Sequence, residues 1–258
     1  MKAVAVHPDA IVVTSRIWQT NATALRTGGE TLLIDSPYFP DELEALPALL
    51  RQAGFEPNAL FATHADYDHV LARFAFPDLT LGVGDPTMER IRAEPGAVQR
   101  ELRDEDARNY VSRPAPLALG NLQSLPVPGY VELGEHELEL HPADGHTSDG
   151  TAVLAEFAGL LVCGDYISNL EIPWLSPGGG LNDYRATLAR LAPLVERAET
   201  VVPGHGGPHT RETALRIIDE DLDYLDALER GEERPKLPEA RDTGRQREIH
   251  VENLTLLG

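Results

Sequence analysis

Cysteine is almost missing from this 258-residue chain, where Cys163 stands alone. A single thiol cannot close an internal disulfide, so nothing ties the protein to an oxidising compartment. Lysine is nearly as scarce: Lys2 and Lys236 are the only ones, and the other basic residues are arginines. The 22 basic side chains face 42 acidic ones, a formal charge of −20. Nucleic-acid binders need a basic face to neutralise phosphates, and anionic membranes attract polybasic patches; this composition provides neither. No apolar run approaches the roughly 18 residues of a membrane-spanning helix. The opening Met1–Asp9 stretch turns polar too soon for a signal peptide. What is present is a hydrophobic content of 42%, too high for a disordered acidic chain. A cytoplasmic, folded protein acting on a small molecule is expected, with neither nucleic acid nor membrane as partner. A homo-oligomer is compatible with the sequence, but nothing in it specifies one.

The pattern along the chain is that of an α/β layered domain. Strands are expected at residues 10–17, 22–27 and 31–34, with Gly28-Gly29 as a hairpin turn. Leu43, Leu46, Leu49 and Leu50 then repeat at helical spacing before a further strand at 59–62. Residues 84–127 are rich in charge, proline and alanine, and predict a helical insertion, with a helix at 97–110, lying over the main body. Strands resume near 130–133, 137–140, 152–157 and 160–163. Two helical patterns follow, through Leu181–Leu191, where Pro193 interrupts or restarts the helix, and through Leu215–Leu228. From about residue 231 the chain reads as a polar, weakly patterned extension. One domain over residues 1–258 is expected.

Chemistry concentrates in Thr63-His64-Ala65-Asp66-Tyr67-Asp68-His69, directly after an apolar strand. Imidazole and carboxylate groups are ligands for zinc, manganese and iron. A sharp loop can turn several toward one point, which a regular strand cannot do. Three further segments repeat the arrangement of a strand end followed by a glycine-flanked ligand: Asp144-Gly145-His146-Thr147, Gly164-Asp165 and Pro203-Gly204-His205-Gly206. Together they offer seven ligands, enough for two metals.

The order and spacing of these motifs resemble those of the metallo-β-lactamase-fold hydrolases, over roughly residues 10 to 210, and within them the glyoxalase II and lactonase-like branch. The resemblance implies an αββα four-layer sandwich with the ligand loops along one edge. It further implies that His64, Asp66 and His146 hold one divalent ion and Asp68, His69 and His205 a second, with Asp165 bridging. The ions would be zinc, or alternatively manganese or iron. Asp165 and Asp68 would be the catalytic carboxylates, Asp68 orienting a metal-bridging hydroxide or taking its proton. Asp35 would support the ligand loop.

Asp66 departs from the resembled pattern, which has histidine there. Three carboxylates would then face two divalent ions, leaving a less positive centre that favours harder metals and attracts anions less. An ester, lactone or thioester of a small molecule is the expected substrate. A glutathione thioesterase is disfavoured, because no second helical domain with basic anchors is legible after residue 210. The alternatives are a small-molecule phosphodiesterase, an iron-dependent oxidoreductase resembling sulfur dioxygenases, and a metal-binding protein without turnover. Tyr67, Tyr166 and Trp174, beside or just after ligands, are the candidates for substrate contact. Cys163 reads as a small hydrophobe on a buried strand. His7, His136, His209 and His250 lack the strand-to-turn setting and read as ordinary histidines, His209 being near enough to His205 to support it.

Overall fold

A computed structural model describes residues 1–257. Two sheets lie face to face with helices on both outer sides. The first sheet has seven strands in sequential order: β1 (Lys2–His7), β2 (Ala10–Thr14), β3 (Asn21–Thr27), β4 (Glu30–Asp35), β5 (Ala59–Ala62), β6 (Leu81–Gly84) and β7 (Leu122–Leu125). It is antiparallel through β4 and parallel from there to β7. The second sheet contains β8 (Gly129–Leu133), β9 (His136–Pro142), β10 (Thr151–Ala155), β11 (Leu160–Val162), β12 (Thr200–Val202) and β13 (His209–Thr210), in the order β13-β12-β11-β10-β9-β8.

The central strands are apolar on both faces because each sheet is covered twice. On β4, Leu32 and Ile34 face the second sheet, meeting Leu138, Val153, Leu160 and Val202, whereas Leu33 faces the helices. The outer layer of the first sheet is α1 (Pro40–Gln52), α2 (Ala72–Ala75), α3 (Asp85–Ala93) and α4 (Ala97–Arg108). These pack through Leu43, Leu46, Leu50, Met88, Val98 and Leu102. On the other side lie α5 (Leu181–Arg197), α6 (Arg211–Glu229) and α7 (Gly244–Leu257). Among the described residues no helix is long and apolar enough to cross a membrane.

Several features differ from the sequence expectation. Strands β1 and β6 were not foreseen, and neither was the joining of the 84–127 segment to the sheet through β7. That edge strand half-buries Leu122 and Leu125 and exposes Gln123 and Ser124, so it shows no alternation. Helix α5 runs unbroken through Pro193, because Leu188, Leu191, Leu194 and Val195 are buried on both sides of it and packing outweighs the lost N–H. The stretch expected to be a polar extension contains α7. It docks through buried polar side chains: the Gln246 and Asn253 amide oxygens accept from the Ile172 and Leu175 N–H, and the Asn253 Nδ2 donates to the Pro173 carbonyl. This helix therefore fixes the 171–175 loop.

Candidate metal centre

Five chain segments converge on one edge of the sandwich, each leaving the end of a strand: β4 at Asp35, β5 at Thr63–His69, β9 before His146, β11 before Asp165 and β12 before His205. A strand that stops at a sheet edge releases its last residues from the alternation of the pleat, and so can aim successive side chains at one point. The convergence needs backbone to pass very close to the ligands. A Cβ on Gly204 would lie 2.0 Å from Asp165 Oδ1 and 2.9 Å from His69 Cε1. Gly145 adopts φ +122°, and a Cβ there would lie 2.2 Å from the Tyr184 nitrogen.

All seven ligand candidates meet. Nε2 of His64 and of His146 lie 3.7 and 3.5 Å from Asp66 Oδ2, and 3.7 and 3.3 Å from Asp165 Oδ2. His69 Nε2 is 3.8 Å from Asp68 Oδ1 and 3.3 Å from Asp165 Oδ1. His205 Nε2 is 3.4 Å from Asp68 Oδ2 and from Asp165 Oδ2. Metal–ligand bonds of roughly 2.0–2.1 Å at a tetrahedral angle put neighbouring ligand atoms about 3.3 Å apart. The separations are of that size.

The fit to cations can be tested on the protein's own polar atoms. Nε2 of His64, His69 and His146, and Oδ1 of Asp165, are buried without a hydrogen-bond partner among the described residues. Each such atom costs about 1–3 kcal/mol if left unsatisfied. Four of them aimed into one space, with carboxylates among them, suit a pair of divalent ions. The rear nitrogens are held. His69 Nδ1 meets Asp35 Oδ2 at 3.0 Å, His146 Nδ1 donates to the Trp174 carbonyl at 2.7 Å, and His205 Nδ1 donates to the Trp18 carbonyl at 3.2 Å. His64 Nδ1 lies 3.0 Å from Thr63 Oγ1. These contacts turn each Nε2 inward. Asp35 has φ +58°, a conformation costly for a non-glycine residue, and its carboxylate also accepts from the Thr63 N–H and hydroxyl.

Electrostatics within the cluster are strongly coupled. Burial opposes charge on Asp165, but His205, His69 and His64 outweigh it and hold the carboxyl well below its usual range. Asp66 is held low in the same way by His64 and His146. Burial likewise opposes charge on the imidazoles, yet Asp165 and its neighbours push His69 and His146 well up and His205 up to about 10.

A cleft of about 390 Å³ opens onto these groups. Trp18, Tyr67 and Trp174 form its aromatic wall. Helix α4, from the 84–127 segment, lines it with Glu105 and Arg108, the residue after it, Asn109, joins them, and α7 adds Arg245 and Glu252. Tyr166 is a correction: it is 2% exposed, and its hydroxyl donates to the Asp144 carbonyl while accepting from the His146 N–H. It anchors the His146 loop and does not line the cleft. Its neighbour Asp165 faces the centre, and the next side chain along the turn points into the core. His209 donates to the Ile167 carbonyl, His250 bonds Tyr224 and the Glu232 carbonyl, and His136 stacks on Phe157, all outside the centre. Cys163 is fully buried, and burial pushes its thiol up.

One arginine beside the centre was not foreseen. Arg90, on α3, places Nη2 2.8 Å from Asp66 Oδ1 and Nη1 2.7 Å from Asp149 Oδ1. Nothing in the sequence distinguishes it from Arg92 or Arg100 nearby.

A model of the metallo-beta-lactamase superfamily matches residues 16–205 of the chain. No curated protein matches it. Among solved structures, the metallo-beta-lactamase family protein TTHA1429 from Thermus thermophilus is similar at 20% identity and a TM-score of 0.65, covering 88% of this chain and 82% of that one. A metallo-beta-lactamase from Pontibacter korlensis is similar at 16% identity and a TM-score of 0.62, covering 84% and 97%. TTHA1623, solved in a di-iron-bound form, is similar at 26% identity and a TM-score of 0.57, covering 80% and 97%.

Proposed function

The chain belongs to the metallo-β-lactamase superfamily, and from that premise we propose that it is a binuclear metal-dependent hydrolase of a small-molecule ester, lactone or thioester. The observation that carries this reading is the set of four buried, unpartnered ligand atoms, which lie among three overlapping groups of metal-competent side chains: His64, Asp66 and His146; Asp68, His69 and His205; and His64, His69 and Asp165 between them. His64, Asp66 and His146 would hold one ion, Asp68, His69 and His205 the other, and Asp165 would touch both. Two bound divalent ions supply a Lewis acid for the scissile carbonyl and a water acidic enough to be a nucleophile at neutral pH. Asp68 turns both carboxylate oxygens inward, so it can orient that water and accept its proton. Trp18, Tyr67 and Trp174 can pack against the apolar part of a substrate and exclude water around the reacting bond.

Charge around the cleft narrows the substrate class. Arg108 pairs with Glu105 at 2.9 Å and Arg245 with Glu252 at 3.3 Å. Both rim arginines are thus neutralised, and Glu171 adds a further acid to the lining. A neutral or weakly charged molecule suits such a wall better than a phosphodiester does.

A second reading concerns the metal. Asp66 adds a hard oxygen donor, and a relative of 26% identity has been solved with two irons, so iron or manganese competes with zinc. Elemental analysis of protein purified without added metal, combined with assays on esters, lactones, thioesters and phosphodiesters, tests both readings. The expected result is two ions per chain and turnover of a carbonyl substrate that stops on chelation. Fewer than two ions after saturation, or two ions with no turnover on any substrate, would overturn the proposal.

A further inference from the structure

Asp66 has a carboxylate divided between two environments. Its Oδ2 faces the Nε2 atoms of His64 and His146, and its Oδ1 faces the Arg90 guanidinium. Arg90 is itself fixed. Its other terminal nitrogen bonds Asp149, a residue only 1% exposed at its side chain. Asp149 Oδ2 accepts from the Ala65 N–H at 2.8 Å, and its carbonyl accepts from Thr87 Oγ1 at 2.8 Å. One guanidinium therefore joins helix α3 to both the Thr63–His69 loop and the segment following His146. The planar fork fits two carboxylates at once, which an ammonium could not do with the same directionality.

Resting on the metal-binding reading above, we propose that Arg90 is a positioning residue for the first metal position, making the Asp66–Arg90 pair one functional unit. Three carboxylates against two divalent ions leave one positive charge. Arg90 adds a second, but the buried Asp149 carboxylate on its other terminal nitrogen cancels it, so the net charge stays as Asp66 alone would leave it. What Arg90, 24 positions along the chain from Asp66, changes is the placement of that carboxylate. Arg90 also prevents the Asp66 carboxylate from rotating, because one oxygen is tied down while the other points at the imidazoles.

The test is metal binding, independent of turnover. Zn²⁺ is titrated into metal-free protein in competition with a chromophoric chelator, for wild type, Arg90→Gln, Asp66→His and the double variant. Wild type is expected to bind two ions. Arg90→Gln is expected to weaken one step by roughly 10–100-fold, as loss of an outer partner of a ligand does, and to leave the other unchanged. Asp66→His supplies a ligand that Arg90 does not hold. The double variant is therefore expected to bind both ions as Asp66→His does. A purely structural role for Arg90 would weaken the Asp66→His protein by the same factor as wild type, since Asp149 loses its partner in both backgrounds; that outcome overturns the proposal, as does an Arg90→Gln isotherm matching wild type. Should Arg90→Gln not fold, the comparison of Asp66→His with a folded double variant decides it by the same criterion. A wild type that binds fewer than two ions would instead refute the metal reading itself.

Discussion

The two halves of the centre carry opposite charges behind their ligands. Behind the first, the carboxylate of Asp66 is backed by the cationic Arg90. Behind the second, the imidazole of His69 is backed by the anionic Asp35, 3.0 Å from its Nδ1. In one half the anion would face an ion directly while a cation restrains it; in the other an anion behind the ring would make the imidazole a stronger donor. Similar ligand geometry is thus supported by two electrostatic designs, and the two ions should differ in how firmly they are held. The half backed by Asp35 should lose its ion last on chelation.

Asp165 offers the widest break, because its oxygens reach imidazoles of both halves. Asp165→Ala should remove the difference by emptying both positions, with turnover reduced about a thousandfold or more, roughly 4 kcal/mol of transition-state stabilisation. Elemental analysis and kcat on the same preparation check it. Next in size are His146→Ala and His205→Ala, each expected to leave one ion per chain. Stepwise titration should show the retained ion to be the tighter one in His146→Ala and the weaker one in His205→Ala.

Asp35→Asn sharpens the comparison without removing a ligand. The amide still accepts from Thr63 but no longer makes the His69 ring more basic. The tighter step should weaken about 10–100-fold, bringing the two affinities together. The smallest effect is on pH. His205, pushed up to about 10, is protonated at neutral pH in the metal-free protein, and an ion binds only the neutral ring. Metal uptake should therefore release protons, and apparent affinity should fall about tenfold per released proton for each unit that pH drops. Titration in a weakly buffered indicator solution measures the release; uptake with no protons released would contradict the coupling.

Much of the centre was legible because its ligand candidates obey local rules. His64, Asp66, Asp68 and His69 lie within one loop after a strand, and His146, Asp165 and His205 each sit beside a glycine that their tight turns need. Tyr166 shows where adjacency misleads, since neighbouring side chains on a turn diverge and this one points inward to the Asp144 carbonyl. Helix α7 was illegible for a different reason. It docks through Gln246, His250 and Asn253 with Ile249 as its one fully buried apolar residue, so no hydrophobic period marks it. Through the 171–175 loop it nonetheless supports the Trp174 carbonyl that orients His146.

The sequence by itself determined the layered α/β class, the strand ends that bear the candidate ligands, and the chemical kind of each ligand, because those properties depend on residues close together in the chain. Only the tertiary structure decided what stands behind them. Arg90 and Asp149 are 59 positions apart, and Arg90 reaches both Asp149 and Asp66 because α3 packs beside β6 and β7. Such a meeting leaves no spacing to read. It also restrains the one ligand candidate that departs from the resembled pattern: Asp66 has a guanidinium behind it, placed there by packing.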